Sequence, residues 1–400
     1  MKIACICDDR FPSANANTQQ VIKTASAVAR KGVTIDLVLP RMWQTFGMDA
    51  EQRRQLINDY YCVSGFYGLR QITSWMPTSA RFHKISHGIA GPLVTYLSDY
   101  DVLYTRNFLP VLLGLATAQP VVFETYRLLA KQYPFLRSSM VACTQNPRFL
   151  GVVTHSKLAK DNMLEAGIEP STVEVIHNGY DEQDLEPKLS REEARSILHR
   201  EFGWVFPGPV AVYTGRIDPD KGMNILLDMA ELCPEITFVF VGATHRRDRS
   251  WLERTAATRN IINIYRSQRV DPKKLSVFLY AADVLLIPPT SAPLEKKGNT
   301  VLPIKTFSYL GSGRPILAPK LPDTSELLRH GENCLLATPG DSREAVDKLK
   351  NIVNDEVLRK RLGKGAFETG KELTWDARAE KFIAFLENRL SAANSFTSTH

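Results

Sequence analysis

Arg216 and Lys221, preceded by Gly215, are the residues of this chain whose types and spacing best suit the holding of an anion. They lie in Val212-Tyr213-Thr214-Gly215-Arg216-Ile217-Asp218-Pro219-Asp220-Lys221-Gly222, which reads as a short apolar strand, a glycine turn and the approach to an amphipathic helix, Asn224-Ile225-Leu226-Leu227-Asp228-Met229. Glycine lets the backbone turn tightly and come close to a ligand, arginine offers a planar fork of donors, and a lysine near a helix start adds a point charge. That combination fits a diphosphate. Taken alone, the same string is equally a strand-turn-helix connection with two solvated cations, so the elements around it must decide.

A chain of 400 residues is too long for one ordinary core and suits two domains. Hydrophobic residues at 44% and charged residues at 23% indicate a globular protein, without low-complexity tracts or an obvious repeat. The net charge of +7 and a pI near 9.0 favour an anionic partner. A diffuse surplus of this kind is a solvated surface rather than a nucleic-acid groove, and nucleotides or anionic headgroups satisfy it. Cys5, Cys7, Cys62, Cys143, Cys233 and Cys334 have neither metal-ligand spacing nor the density of a disulfide framework. The start, Met1-Lys2-Ile3-Ala4-Cys5-Ile6-Cys7-Asp8-Asp9, reads as a strand ending in acids, unlike a signal peptide. Proline and glycine break the apolar region Phe108 to Ala116 well short of a bilayer span, and a cytoplasmic location is expected. Arg41 to Phe46 and Arg81 to Gly88 mix bases with aromatics; they read as core-covering helix and loop, with peripheral membrane contact as the other reading.

The first half repeats strand, turn, amphipathic helix, strand. Thr18 to Lys31 places Val21, Ile22, Ala25, Val28 and Ala29 on one helical face, Gly32 closes it, and Val33 to Leu39 reads as the next strand, giving a βαβ unit. Further strands are expected at Val102 to Thr105, Val121 to Glu124, Gly151 to Thr154 and Val173 to Ile176. Such alternation implies a parallel sheet with helices on both faces, whose ligands lie at the carboxyl ends of the strands. Asp8-Asp9, Thr105-Arg106, Glu124-Thr125-Tyr126 and Ser156 fall there.

From Asp181 to Pro209 the chain becomes charged and carries the capping signature Ser190-Arg191-Glu192-Glu193-Ala194, the expected inter-domain connection. Alternation then resumes with strands at Val210 to Tyr213, Ile236 to Gly242, Ile261 to Tyr265, Val284 to Pro288, Pro315 to Ala318 and Cys334 to Ala337. The expected fold class is α/β, with two doubly wound Rossmann-like domains at 1–188 and 189–374, a helix at 375–391 crossing back toward the first domain, and a tail at 392–400.

Several strings, in order, carry a resemblance: His177-Asn178-Gly179-Tyr180-Asp181, the Gly215 to Gly222 turn, Val239-Phe240-Val241-Gly242, Ala281 to Pro288, Gly313-Arg314-Pro315-Ile316-Leu317-Ala318, and Gly331-Glu332-Asn333-Cys334-Leu335-Leu336. Their order and spacing resemble those of the retaining, nucleotide-sugar-dependent glycosyltransferases of family 4 (glycosyl transferases group 1), over nearly the whole chain. The resemblance implies a GT-B architecture of two facing Rossmann-like domains, with a nucleotide sugar against the second domain and an acceptor entering from the first. It implies that Arg216 and Lys221 bind the diphosphate, that the nucleoside diphosphate sugar is a co-substrate, and that no metal or other cofactor is required. The donor-side residues are then Gly215, Arg216, Lys221, Gly242, Thr300, Val301, Leu302, Lys305 and Ser308, and the acceptor-side candidates Asn15, Asn17, Thr18, Arg106, Glu124 and Tyr126.

The chain departs from the family pattern at informative places. The paired glutamates of the family fall on Thr300 and Ser308, so both acids are missing, and a serine makes a shorter contact to ribose than a glutamate. Pro303 removes a backbone donor, Lys305 reads either as a phosphate contact or as a solvated cation at a helix entry, and Glu295 is the remaining acid of the loop. Phe11 to Thr18 replaces a glycine pair; Asn15, Asn17 and Thr18 read as helix caps or as donors to a ligand. Tyr126 stands where relatives carry a histidine. No Ser-His-Asp arrangement or identifiable acid pair suggests hydrolysis. The expected reaction is hexosyl-type transfer to a hydroxyl of a glycan, lipid or small molecule, the leaving diphosphate itself helping to deprotonate the acceptor. The alternatives are a nucleotide-sugar-binding protein impaired in catalysis, or an epimerase or phosphorylase on the same fold.

Overall fold

The structure is a computed structural model, and it describes residues 1–64, 66–73, 82–242, 246–298 and 302–397. Contacts divide the chain into two units, Met1–Asn178 with Trp375–His400, and Gly179–Thr374. Both are α/β, with wholly parallel sheets.

The first sheet comprises β1 (Lys2–Ile6), β2 (Thr34–Arg41), β3 (Gly68–Thr73), β4 (Val102–Thr105), β5 (Val121–Thr125), β6 (Phe149–Thr154) and β7 (Val173–Val175), in the order β3-β2-β1-β4-β5-β6-β7. Between strands lie α1 (Ala16–Arg30), α2 (Ala50–Tyr61), α3 (Phe82–Tyr96) and α4 (Phe108–Ala116), among others. The strands β1, β4, β5 and β6 are buried almost throughout, as strands covered on both faces must be. The sequence reading passes over β3, a half-buried edge strand without an apolar run. Phe108 to Ala116, too short for a bilayer span as expected, forms α4, which tolerates Pro110 in its first turn, where its missing N–H costs nothing. The Arg41 to Phe46 segment holds a 3₁₀ turn, Trp43–Thr45, with Trp43 exposed. Arg81, in the other membrane-candidate segment, lies outside the described residues.

The C-terminal helix, Trp375–Thr397, packs on α1 and continues past its expected end at residue 391. Its anchor is Arg378, which is 2% exposed; this guanidinium donates to Glu124 Oε2 (2.8 Å), Thr24 Oγ1 (3.1 Å) and the carbonyl of His177 (2.9 Å). No helix among the described residues is long and apolar enough to cross a membrane.

The second sheet comprises β8 (Val210–Thr214), β9 (Thr237–Val241), β10 (Ile264–Ser267), β11 (Val284–Leu286), β12 (Ile316–Pro319) and β13 (Leu335–Ala337), in the order β10-β9-β8-β11-β12-β13. Its two faces bury separate apolar clusters, one around Phe238, Phe240 and Leu226, the other around Phe278, Phe307 and Leu310. The helix Arg191–Phe202 begins at Ser190, whose side chain accepts from Glu193 N in a capping box. Strand order reverses between β8 and β11, and in a doubly wound sheet that switch point opens the crevice a ligand occupies.

Candidate active site

The Gly215 turn leaves β8 at that switch point. Gly215 has φ +133° and Gly242, at the end of neighbouring β9, has φ +124°. A Cβ on Gly242 would lie 2.3 Å from the Gly215 carbonyl oxygen, so only glycine allows the two strand ends to meet backbone to backbone. Beyond it, the Tyr213 hydroxyl donates to the Arg216 carbonyl (2.7 Å), and the Asp218 side chain accepts from Asp220 N to cap the 3₁₀ turn Pro219–Lys221. Gly222 follows at φ +83° with Pro288 and Thr290, from the end of β11, directly against it. The turn is thus fixed on both sides, with Arg216 exposed and Lys221 half-buried.

Lys305 joins them. It opens the helix Lys305–Ser312, and its Nζ sits 3.7 Å from the centroid of the Tyr213 ring and 2.9 Å from where a Gly215 Cβ would be. Burial, and then the charge of Lys221, push the Lys305 ammonium well below its ordinary pKa. No carboxylate pairs with Lys305 among the described residues. An amine whose charge is suppressed by burial and by Lys221, set against a glycine turn, is a place where an anion would restore that charge. Tyr309 ties the same helix down, its buried hydroxyl accepting from Thr214 N at 2.8 Å.

Ser308 turns its hydroxyl back to donate to the Lys305 carbonyl (3.0 Å), and Leu302 is buried. Glu295 is exposed on the short helix Ala292–Lys297. Thr300 and Val301 lie outside the described residues.

A measurable consequence follows for pH. In the free protein Lys305 is neutral over a window from its lowered pKa up to 10.5, where the unfolded chain is still protonated. The unfolded state therefore binds more protons there, and stability rises with pH across that window. A diphosphate held there would recharge the amine, so its binding should take up a proton and weaken as pH rises through the same window. Calorimetry of nucleoside diphosphate binding in buffers of different ionisation enthalpy should show this uptake in the wild type and lose it in Lys305→Met.

In the first unit, the carboxyl ends of β1, β4, β5 and β6 gather a second polar cluster around Glu124. This side chain is fully buried: Oε1 accepts from Gln20 Nε2 (2.7 Å) and His155 Nε2 (2.6 Å), and Oε2 from Tyr104 (2.6 Å) and Arg378 (2.8 Å). Burial alone would raise its pKa; Arg378, then His155 and Arg106, overcome this and hold the carboxyl well below the ordinary range. Burial pushes His155 down to about 4, so a neutral imidazole donates to the carboxylate. Glu124 is consequently the hub of a buried network, with no oxygen turned outward.

Tyr126 stacks on His155, ring centroids 5.9 Å apart, with the Arg106 and Arg127 guanidinium groups 5.1 and 5.6 Å from its centroid. A histidine therefore stands behind Tyr126, the tyrosine at the position where the resemblance implies a histidine. Arg106, its side chain 8% exposed, donates to Gln20 Oε1 and to the Asn17 carbonyl. Asn17 donates to Asp9, and Asp8 and Asp9 pair with Lys84 at 3.5 and 3.4 Å. Thr18 is enclosed by Ser13, the Asn15 carbonyl and Tyr61. Asn15 occupies the N-cap of α1 without a side-chain capping bond, and Ser156 caps the helix Lys157–Glu165. The sequence reading names neither Gln20, Tyr104, His155 nor Arg378; only His155, beside the strand-end residue Ser156, carried a positional signal.

Comparison with known proteins agrees with this architecture. The family model "Glycosyl transferases group 1" matches residues 208–355, inside the second unit. Among curated proteins, the chain is similar to the sulfoquinovosyl transferase SQD2 of Arabidopsis thaliana, 23% identical over 276 residues, covering 68% of this chain and 50% of that one. It is also similar to the D-inositol 3-phosphate glycosyltransferase of Corynebacterium aurimucosum, 22% identical over 403 residues, covering 94% and 90%. The chain thus spans half the length of the first relative and most of the second. Among solved structures, Anabaena HepE in complex with UDP and glucose matches with a TM-score of 0.72 at 17% identity, covering 97% of this chain and 99% of that one. Sucrose-phosphate synthase from Thermosynechococcus elongatus matches with a TM-score of 0.76 at 17% identity, covering 98% and 99%. Residues 208–355, within the second unit, thus match the glycosyl transferases of group 1, and the chain shares the fold of its GT-B structural neighbours, two Rossmann-like α/β domains with parallel sheets.

Proposed function

We propose that this chain transfers a sugar from a nucleoside diphosphate donor to an acceptor hydroxyl with retention of configuration, the diphosphate being held by Arg216, Lys221 and Lys305. The observation that carries the reading is the placement of Lys305 against Gly215 and beside Lys221, with no carboxylate on it among the described residues. Departure of a nucleoside diphosphate builds negative charge on phosphate oxygens, and fixed cations that hold this charge better in the transition state lower the barrier. The three side chains supply charge that a divalent metal supplies in other transferases. The departing diphosphate oxygen accepts the proton of the attacking hydroxyl, so no protein base is required. The UDP bound by HepE makes a uridine donor the first to try.

A second reading, donor binding without turnover, is favoured by the missing acids at Thr300 and Ser308 and by the inward-turned Ser308 hydroxyl. Thermal stabilisation by a panel of nucleotide sugars identifies the donor, because a ligand at one hundred times its Kd adds about 2.7 kcal/mol. Incubation of that donor with candidate acceptors, followed by NMR of the new glycosidic bond, should show the donor's anomeric configuration. An inverted product would refute retention, and stabilisation with no product from any acceptor would assign the second reading.

A further inference from the structure

Helix α3 is inside out. Its buried residues are His83, His87, Gly88, Gly91, Pro92 and Thr95. The glycines allow a close approach: a Cβ would come within 3.1 Å of Leu109 at Gly88, and within 2.9 Å of Ile6 at Gly91. The rings of His83 and His87 each lie 3.0 Å from a main-chain carbonyl, those of Asp8 and Val38. Small and polar residues therefore make the inner contacts, while Phe82, Ile85, Ile89, Leu93 and Tyr96 remain 43–59% exposed. Spacings of three and four residues align these five side chains in one stripe. Exposed Leu97 extends it, and exposed Leu112 lies on the adjacent α4. An ordinary surface helix turns its large apolar residues toward the core; here, among the described residues, that face stays exposed.

Charge narrows what suits such a face. Between Tyr60 and Ser98 the sequence contains no Asp or Glu, yet it carries Arg70, Arg81 and Lys84; the side chains of Arg70 and Lys84 remain 40% and 47% exposed, although Asp36 lies 3.9 Å from the first and Asp8 and Asp9 lie 3.5 and 3.4 Å from the second. A stripe of about 22 Å, fifteen residues at 1.5 Å each, is too short to span a bilayer but long enough to lie in its interface. Interfacial helices combine this kind of apolar face with cations that meet anionic headgroups, and aromatics such as Phe82 and Tyr96 suit the boundary.

We infer that the outer face of α3 docks this protein on an anionic lipid bilayer. The amino end of α3 lies beside the carboxyl edge of the first sheet, through the His83 contact to Asp8. Docking therefore brings the edge that carries Arg106 and Tyr126 toward the headgroups. The inference is independent of sugar transfer and is tested without it.

The test is flotation of the full chain with vesicles of phosphatidylcholine alone and of phosphatidylcholine mixed with phosphatidylglycerol. The wild type should float with the mixed vesicles, less with phosphatidylcholine alone, and less as salt rises. Ile89→Glu combined with Leu93→Glu should weaken flotation roughly tenfold or more, with circular dichroism and melting temperature unchanged. A wild type that stays behind with the mixed vesicles, or a double variant that floats equally well, overturns the inference. So does a dimer in light scattering that the double variant dissociates without any vesicle binding, because the face then belongs to a second copy.

Discussion

Arg216→Ala and Lys221→Ala should each lower kcat/KM for sugar transfer by about 10²–10³-fold, the usual effect of removing one fixed donor from a developing anion. The loss should fall mainly in kcat, because charge on the diphosphate oxygens grows as the glycosidic bond breaks. Folding should be nearly unaffected: Arg216 is exposed, and Tyr213, Asp218 and Gly222 hold the turn. Melting temperatures within about 2 °C of wild type would accompany the loss. Arg216→Lys should restore only part of the activity, since an ammonium lacks the fork of donors. Unchanged turnover in both alanine variants would place the diphosphate elsewhere.

Arg378→Ala should produce the largest loss of stability. It strips Glu124 of its strongest cation and leaves a carboxylate with no exposure, facing a neutral imidazole and the more distant Arg106. Breaking a buried ion pair by removing one partner costs about 3–5 kcal/mol. For a unit of roughly 200 residues this corresponds to a fall in melting temperature on the order of 10 °C. The carbonyls of Ile176 and His177 lose their donor as well, and these residues adjoin the boundary between the units at Asn178 and Gly179. Replacing both partners, Glu124→Gln with Arg378→Met, should cost less than the sum of the single changes, because neither charge is then buried alone. Strict additivity, or a fall of under 2 °C for Arg378→Ala, would contradict the hub.

These two sites differ in how far the sequence announces them. The turn proposed to hold the diphosphate is local: a glycine, an arginine and a lysine within seven residues, after an apolar run, state both the backbone shape and the charge. Lys305 enters through the family string around it, but its contact with Gly215 and Tyr213 depends on a helix packing back across the sheet, which no short motif records. The Glu124 hub is spread from Gln20 to Arg378, and nothing in the spacing of residues so far apart marks them as neighbours. Glu124 reads as an acceptor-facing acid because it ends a strand; one residue of alternation decides whether a strand-end side chain turns inward, and here it does. The buried central strands are legible from continuous apolar runs, whereas edge strand β3, Gly68-Leu69-Arg70-Gln71-Ile72-Thr73, resembles a loop in composition. Helix α3 conceals itself differently, since its large residues mark a helix while giving the wrong face for the core.

The central claim is that a diphosphate lodges at the end of β8. A crystal structure of the protein with a bound nucleoside diphosphate tests it most directly. The phosphates should lie against the Gly215 backbone, within hydrogen-bond distance of Arg216, Lys221 and Lys305. Phosphates bound elsewhere, or all three side chains directed away from them, would contradict it.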